Sequence, residues 1–283
     1  MAADVVIAAP DDAALEAFCR DGFAVIRNAI TETDRSRMLG GAQALLDSPI
    51  TTGRDRGADG KDGFRGVVNL DPTAFMPLMT NPTVLLTIVA LLSPNIQLLT
   101  SHLISLQSLP LDARRTIRTP QRPGWHRDMY GVTDDLGAEH TPRMAVKCAY
   151  YLTDLAENAG VTMFLPGSHL ATTRITVPPG SIDPNGAVTP AVGQYDAVIF
   201  ENRTWHAAGI NTSGRPRIAV MMQYGYRWLA PVDDPPTTAL ERPDLNPVER
   251  QLLGQPDRAP DGSLAKGSGA AAIGDWWRAI SSP

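Results

Sequence analysis

From Met144 to Tyr226 the chain runs through four strand-like segments: MAVKCAYYLTDL, VTMFLPGSHL, DAVIFENRTWHAA and RIAVMMQYGY. Turn chemistry, not helical patterning, separates them. An earlier stretch, NIQLLTSHLISLQSL, reads as one or two further strands. Successive strands without intervening helices restrict the fold to an antiparallel barrel or sandwich. Glycine and proline, at 24 each, supply the turns such a fold needs, and aromatics are sparse at 6%. A helical bundle would not use that composition.

Helices are expected before the strands. Asp11 or Asp12 can cap AALEAFCRDG, with Gly22 as its stop, and FAVIRNAI follows as a strand. Thr31 and Asp34 sit at the spacing of a capping pair opening TETDRSRMLGGAQALLD. Asn81 and Pro82 open a helix over NPTVLLTIVALL. Residues 48–65 are polar, charged and glycine-rich, and read as a mobile loop, either a surface excursion or an active-site lid. The segment DARRTIRTPQRPG reads as a basic loop. Past Pro231 the chain turns rich in proline and aspartate, with helical pieces at NPVERQLLG and GDWWRAI. The expected organisation is one domain over residues 1–283. Residues 1–100 form a helical part with the first strands, 101–230 the strand core, and 231–283 an appendage on it.

A 43% hydrophobic chain of 283 residues can build one sizeable core. A net charge of −5 gives no reason to expect nucleic-acid binding. Cys19 and Cys148 are too few for a disulfide framework, and are expected as reduced thiols in a cytoplasmic protein. MAADVVIAAPDD lacks the charged and apolar regions of a signal peptide. The apolar run from Val84 to Leu99 is broken at Ser93, Pro94 and Asn95, so no membrane partner is expected.

The chemistry concentrates in PGWHRDMYG. If that segment is extended, His126 and Asp128 lie on one face of a strand end and Arg127 points away. Alone, an H-x-D triplet arises often by chance, and His126 could be a surface residue. A distal histidine, His206 in TWHAAG, ends a hydrophobic strand and precedes a small-residue turn. Two imidazoles and one carboxylate suit a non-haem Fe(II) with open coordination positions. Eleven residues on, Arg217 opens the next strand, where its planar fork could grip a carboxylate; Arg215 is the alternative. Arg114, Arg115, Arg118, Arg122, Arg127 and Arg143 could draw in an anionic substrate, or could pair with Asp134, Asp135 and Glu139.

With these residues in view, the chain resembles the phytanoyl-CoA dioxygenase family of Fe(II)/2-oxoglutarate oxygenases. The likeness runs from about Leu15 to about Pro231. It is carried by FCRDGFAVIRNAIT, LISLQSLPLDARR, the H-R-D motif, YYLTDLAENAGVTMFLPGSH, WHAAGINTSGRPR and YGYRWLAP. The resemblance implies a double-stranded β-helix (a jelly roll, cupin-like) with helices outside, mainly β overall. It implies that His126, Asp128 and His206 bind iron and that Arg217 binds the C5 carboxylate of 2-oxoglutarate. Gln107, Lys147 and Tyr150 become candidates for the C1 end; on a regular strand only one of the last two can face inward. His169 is expected as a structural turn residue, and His102 and His140 without a role. Dioxygen is the further co-substrate, and ascorbate is expected to stimulate. The implied reaction is hydroxylation, or a related oxidation, of a small metabolite or natural-product intermediate, with release of succinate and CO2. Asp128 argues against halogenation, since related halogenases carry a small residue there. Competing readings are a binding protein on the same jelly roll, or a Zn- or Mn-dependent isomerase or hydrolase.

Overall fold

The computed structural model describes residues 10–57, 60–110, 118–121, 123–156, 158–256, 258, 261–263 and 271–281. Seven strands form one antiparallel sheet. In chain order they are β1 (Phe23–Ile26), β2 (Arg54–Arg56), β3 (Lys61–Arg65), β4 (Ile96–Leu106), β5 (Ala145–Tyr151), β7 (Ala197–Glu201) and β9 (Arg217–Tyr226). Across the sheet the order is β1-β7-β5-β9-β4-β3-β2. A smaller sheet pairs β6 (Met163–Phe164) with β8 (His206–Ala207), and single bridges add His126 and Val188 to it. The expected sandwich is therefore present. NIQLLTSHLISLQSL forms the single strand β4, with an irregularity between Leu98 and Thr100.

Strand alternation divides the large sheet into two faces. One carries Val146, Cys148, Tyr150, Ile199, Val220, Met222 and Tyr224, packed in one buried cluster with helix residues. Each such aliphatic side chain removed from water contributes about 1.5–3 kcal/mol. The other face carries Ala149, Tyr151, Val198, Phe200 and Ala219, which pack with Phe164 of the small sheet.

The covering helices begin where their caps dictate. In α1 (Asp12–Asp21) the Asp11 carboxylate accepts from the Ala14 N–H, and Gly22 ends the helix in the left-handed region at φ +82°. In α2 (Glu32–Asp47) Thr31 and Asp34 close a reciprocal capping box. In α5 (Pro82–Leu91) the Asn81 side chain accepts from the Val84 N–H. Two further helices, α3 (Val67–Leu70) and α4 (Pro72–Met79), precede α5. Asp71-Pro72 repeats the cap-and-proline signature of Asn81-Pro82 and was the available signal. Among the described residues no single helix is long and apolar enough to cross a membrane; α4 and α5 pass such a test only as a pair bent by 47°.

One expectation needs correction. Residues 48–65 are not simply a loop: they contain the hairpin β2–β3 at the sheet edge. Arg54 binds Asp62 through two hydrogen bonds of 3.0 and 2.7 Å, and Lys61 pairs with Asp55 at 2.9 Å. These cross-strand charges made an edge strand look like solvated loop. The basic segment 111–117 lies outside the described residues, as does Arg122. An unanticipated short helix, α6 (Tyr130–Leu136), follows the H-R-D motif directly.

The C-terminal segment carries α7 (Thr237–Leu240), α8 (Pro247–Leu252) and α9 (Ala271–Ser281). It is tied to β4. The Asp233 carboxylate accepts from the Ser101 N–H at 2.6 Å and the Thr100 hydroxyl at 2.7 Å. The Gln251 amide donates to the carbonyls of Pro94 and Ile96 and accepts from the Ile273 N–H. Cys19 and Cys148 are both free; burial pushes the Cys148 thiol up to about 12.

Candidate metal centre and cavity

Ligand atoms of His126, Asp128 and His206 all lie within 4.8 Å of one another. Backbone pairing sets the two histidines side by side. The His126 N–H donates to the His206 carbonyl at 2.9 Å, and the His206 N–H returns a bond at 3.0 Å. Their rings stand with centroids 4.3 Å apart. Each Nδ1 is held by a carbonyl two residues earlier: Gly124 for His126 at 3.0 Å, Thr204 for His206 at 2.9 Å. An Nδ1–H donated to a carbonyl leaves the Nε2 lone pair free for a metal.

Asp128 arrives differently from the expected strand geometry. Only His126 is bridged; Asp128 lies in the turn that follows, just before Met129 at φ +54°. Its Oδ1 is 3.8 Å from His206 Nε2, and its Oδ2 is 2.7 Å from Lys147 Nζ. Burial works against the carboxylate charge. Lys147 and the two imidazoles outweigh it and hold the carboxyl at about 2. Burial pushes the His206 imidazole down to about 4, against the pull of Asp128. At neutral pH both groups are thus ready to ligate. Arg127 does point away, donating to the carbonyls of Ser168 and Ala171 and lying over the Trp205 ring.

The trio opens into a cavity of about 550 Å³ between the sheets. Its walls include Thr100, His102, Ile104 and Leu106 of β4, Lys147 of β5, Arg217, Met221 and Gln223 of β9, and Lys61 and Arg65 of β3. Arg217 is 3% exposed and lies over the Tyr151 ring at 5.4 Å. Its Nε and Nη1 are buried without a hydrogen-bond partner. Burial lowers its pKa, with Tyr151 opposing. A buried guanidinium with unused donors facing a cavity is built for an anionic ligand. Arg215 is exposed and does not line the cavity.

The three C1-end candidates are separated. Lys147 faces the cavity. Tyr150 turns to the helix-covered face, fully buried beside Cys148 and Tyr224, because strand alternation sends it there. Gln107 lies past the end of β4, exposed, with its amide on Ser105 Oγ at 3.3 Å. Neither lines the cavity, so both depart from the expected placement.

His169 is the structural residue expected, buried with Nε2 3.2 Å from the Cys19 carbonyl; His140 is exposed beside Glu139. His102, expected without a role, lines the cavity. The β3–β4 register that puts it opposite Arg65 has no signature in the sequence. Of the basic residues near the motif, Arg118 is bound to Asp183 and Arg143 to Glu201, not to Asp134, Asp135 or Glu139. Arg114 and Arg115 lie outside the described residues.

Residues 18–219 match the profile of the family Phytanoyl-CoA dioxygenase (PhyH). The chain belongs to this family. Among curated relatives, the uncharacterized protein Rv1501 of Mycobacterium tuberculosis is 27% identical over 213 residues, covering 72% of this chain and 71% of its own. Dioxygenase cdmA of Talaromyces verruculosus is 31% identical over 99 residues, 34% of this chain and 32% of its own. Among solved structures, the non-heme alpha ketoglutarate dependent epimerase SnoN from nogalamycin biosynthesis aligns at TM-score 0.59 and 19% identity, covering 91% of this chain and 97% of SnoN. The carbocyclase SnoK of the same biosynthesis aligns at TM-score 0.57 and 18% identity, covering 91% and 94%. The two facing antiparallel sheets with helices outside are thus the jelly roll of this PhyH family.

Proposed function

We propose that this PhyH-family chain is an Fe(II)- and 2-oxoglutarate-dependent oxygenase that hydroxylates a small metabolite or natural-product intermediate. One observation carries the reading. A two-histidine, one-carboxylate trio, each histidine held through Nδ1, shares a cavity with a buried arginine whose Nε and Nη1 have no hydrogen-bond partner. That donor set fits Fe(II) better than a thiolate-rich or all-oxygen site would. SnoN, a structural neighbour, is described in complex with Fe3+ and alpha ketoglutarate, which supports the same cofactor pair here.

His126, Asp128 and His206 hold the metal on one side. Bound there with 2-oxoglutarate and dioxygen, the iron supplies the oxidising power, with succinate and CO2 as co-products. Arg217 grips the far carboxylate of the co-substrate, its charge kept strong by exclusion of water. Lys147 holds Asp128 ionised and, lining the same cavity, would offer its charge to the C1 carboxylate of the co-substrate. Phe200, with its ring 4.8 Å from that of His206, fixes the imidazole and keeps water from it. The chain acts as one catalytic unit, since Val232 of the C-terminal segment lines the same cavity.

The test is uncoupled turnover. With Fe(II) and ascorbate, the protein should convert 2-oxoglutarate to succinate without a prime substrate. Adding 2-oxoglutarate anaerobically to the Fe(II) protein should raise an absorption band in the visible. Absence of both would favour a binding protein or a redox-inert metal enzyme on the same fold.

A further inference from the structure

The two histidines of the trio are fixed by different means. His206 is buried in the small sheet, and the Thr204 carbonyl that meets its Nδ1 belongs to a tight turn. There the Thr204 N–H donates to the Glu201 carbonyl at 3.0 Å and the Thr204 hydroxyl to the Gly22 carbonyl at 2.8 Å. His126 is exposed, and residues 123–125 before it belong to no helix or strand. An exposed neutral imidazole can carry its proton on either nitrogen, so a local partner must select Nδ1.

That partner is the Gly124 carbonyl, 3.0 Å from His126 Nδ1. The chain is anchored on both sides of Gly124, and both anchors end on one atom, Asp183 Oδ1. On the near side, Arg118 donates through Nε to the Pro123 carbonyl at 2.6 Å and through Nη2 to Asp183 Oδ1 at 2.6 Å. On the far side, the Trp125 indole N–H donates to the same Oδ1 at 3.1 Å. The Ile182 carbonyl accepts from both side chains, at 3.0 and 3.2 Å. Arg118 and Trp125 are buried against each other, the guanidinium 5.9 Å from the indole centroid. Gly124 stands at φ +78°, a conformation that strains any side chain, and a Cβ there would come within 3.4 Å of Arg118 Nε. Asp183 is itself held in a turn: its N–H donates to Ser181 Oγ at 3.1 Å, and that hydroxyl donates to the Asp183 carbonyl at 2.8 Å. The ionised pair makes the Arg118 bond to Asp183 stronger than a neutral one.

We propose that Asp183 is a positioning residue for the metal centre: through Arg118 and Trp125 it holds the Gly124 carbonyl in place, so that the His126 proton stays on Nδ1 and Nε2 is left to the ion. Asp183 does not line the cavity of the trio, so it acts through these two side chains and not on a bound molecule. This deepens the oxygenase reading, on which the identity of the ion rests, by naming what prepares its exposed ligand.

Two measurements on the full chain test this. The first is Mn(II) affinity, read from the EPR signal of the free ion. Asp183→Ala should weaken it on the order of tenfold, and Arg118→Met by a similar factor. Asp183→Asn should weaken it less, because its amide oxygen can still accept from Trp125. Combining Arg118→Met with Asp183→Ala should add little to either alone, since both act through one carbonyl. The second measurement is proton–nitrogen correlation NMR on isotope-labelled histidine in the metal-free protein, at a pH where imidazoles are neutral. His126 is assigned by the signals lost in His126→Gln. The wild type should show the Nδ1–H form, and Asp183→Ala a mixture with Nε2–H. A merely structural role would lower stability in urea and move neither readout. Wild-type Mn(II) affinity or a wild-type tautomer in a folded Asp183→Ala overturns the proposal; should that variant not fold, Asp183→Asn and Arg118→Met are read the same way. Failure of the metal reading shows separately, as a wild type that binds no Mn(II) or binds it equally well after His206→Ala. The tautomer measurement still settles the role of Asp183 in that event.

Discussion

Lys147 and Cys148 are adjacent on β5 and live in opposite surroundings. Cys148 faces the helices, in a layer with Tyr150, Val220, Met222 and Tyr224, where the Tyr224 hydroxyl is donated to the Met79 carbonyl at 2.9 Å and the Tyr150 hydroxyl is buried without a partner. Lys147 faces the cavity with Gln223, Met221, His102 and Arg217. One face is closed: mostly apolar and packed without a void. The other leaves buried donors and the candidate metal trio open to a void. The difference teaches that one strand can carry stability on its even positions and chemistry on its odd ones, because successive side chains point to opposite faces.

The sharpest way to break this division is at the trio. His126→Ala or Asp128→Ala should reduce 2-oxoglutarate turnover to background, measured as succinate release; full activity in either variant would remove the cavity face from the chemistry. Next comes Arg217→Met. It should raise the 2-oxoglutarate requirement on the order of 100-fold and leave the iron requirement nearly unchanged, since two charge-assisted bonds are lost. Equal shifts in both would mean that Arg217 holds the site's shape and not the co-substrate.

Stability should respond in the opposite pattern. Met222→Ala, on the closed face, should cost about 2–5 kcal/mol in urea unfolding, whereas the half-buried Met221 beside it should cost less than about 1 kcal/mol when cut to alanine. Acid should expose the cavity face. His206 is held at about 4 and His102 at about 3, both by burial, below histidine's ordinary 6.5. The unfolded chain therefore binds protons that the folded, metal-free protein does not. Stability present above pH 6.5 is lost as pH falls toward those folded values. His102→Phe should flatten part of that slope in urea unfolding followed across the same pH range. The smallest effect belongs to the helices that cover the closed face: Thr31→Ala should lower the unfolding free energy by about 1 kcal/mol through loss of the α2 cap, without altering turnover.

Much of the fold was legible because its signals are local. Asp11, Gly22, Thr31, Asp34, Asn81 and Pro82 each act within four residues of themselves, and each did what its chemistry predicts. The hairpin of β2 and β3 was not legible: its strands are too polar for a periodicity argument, and their reason lies in partners such as Asp62 and Leu103. At the site, the spacing of His126, Asp128, His206 and Arg217 marked the residues that now share one cavity. Gln107 and Tyr150 were misplaced because a strand's end and the phase of its alternation are set by pairing.

The sequence by itself determined the element types, the helix starts, the donor set and the family, since these rest on residue chemistry and short-range spacing. Tertiary structure alone decided which face of each strand looks inward, that Arg65 stands opposite His102, and that Arg217 keeps unused donors beside a void. Those facts depend on strand register, and register is fixed by the burial of a whole face at once, which no local segment encodes.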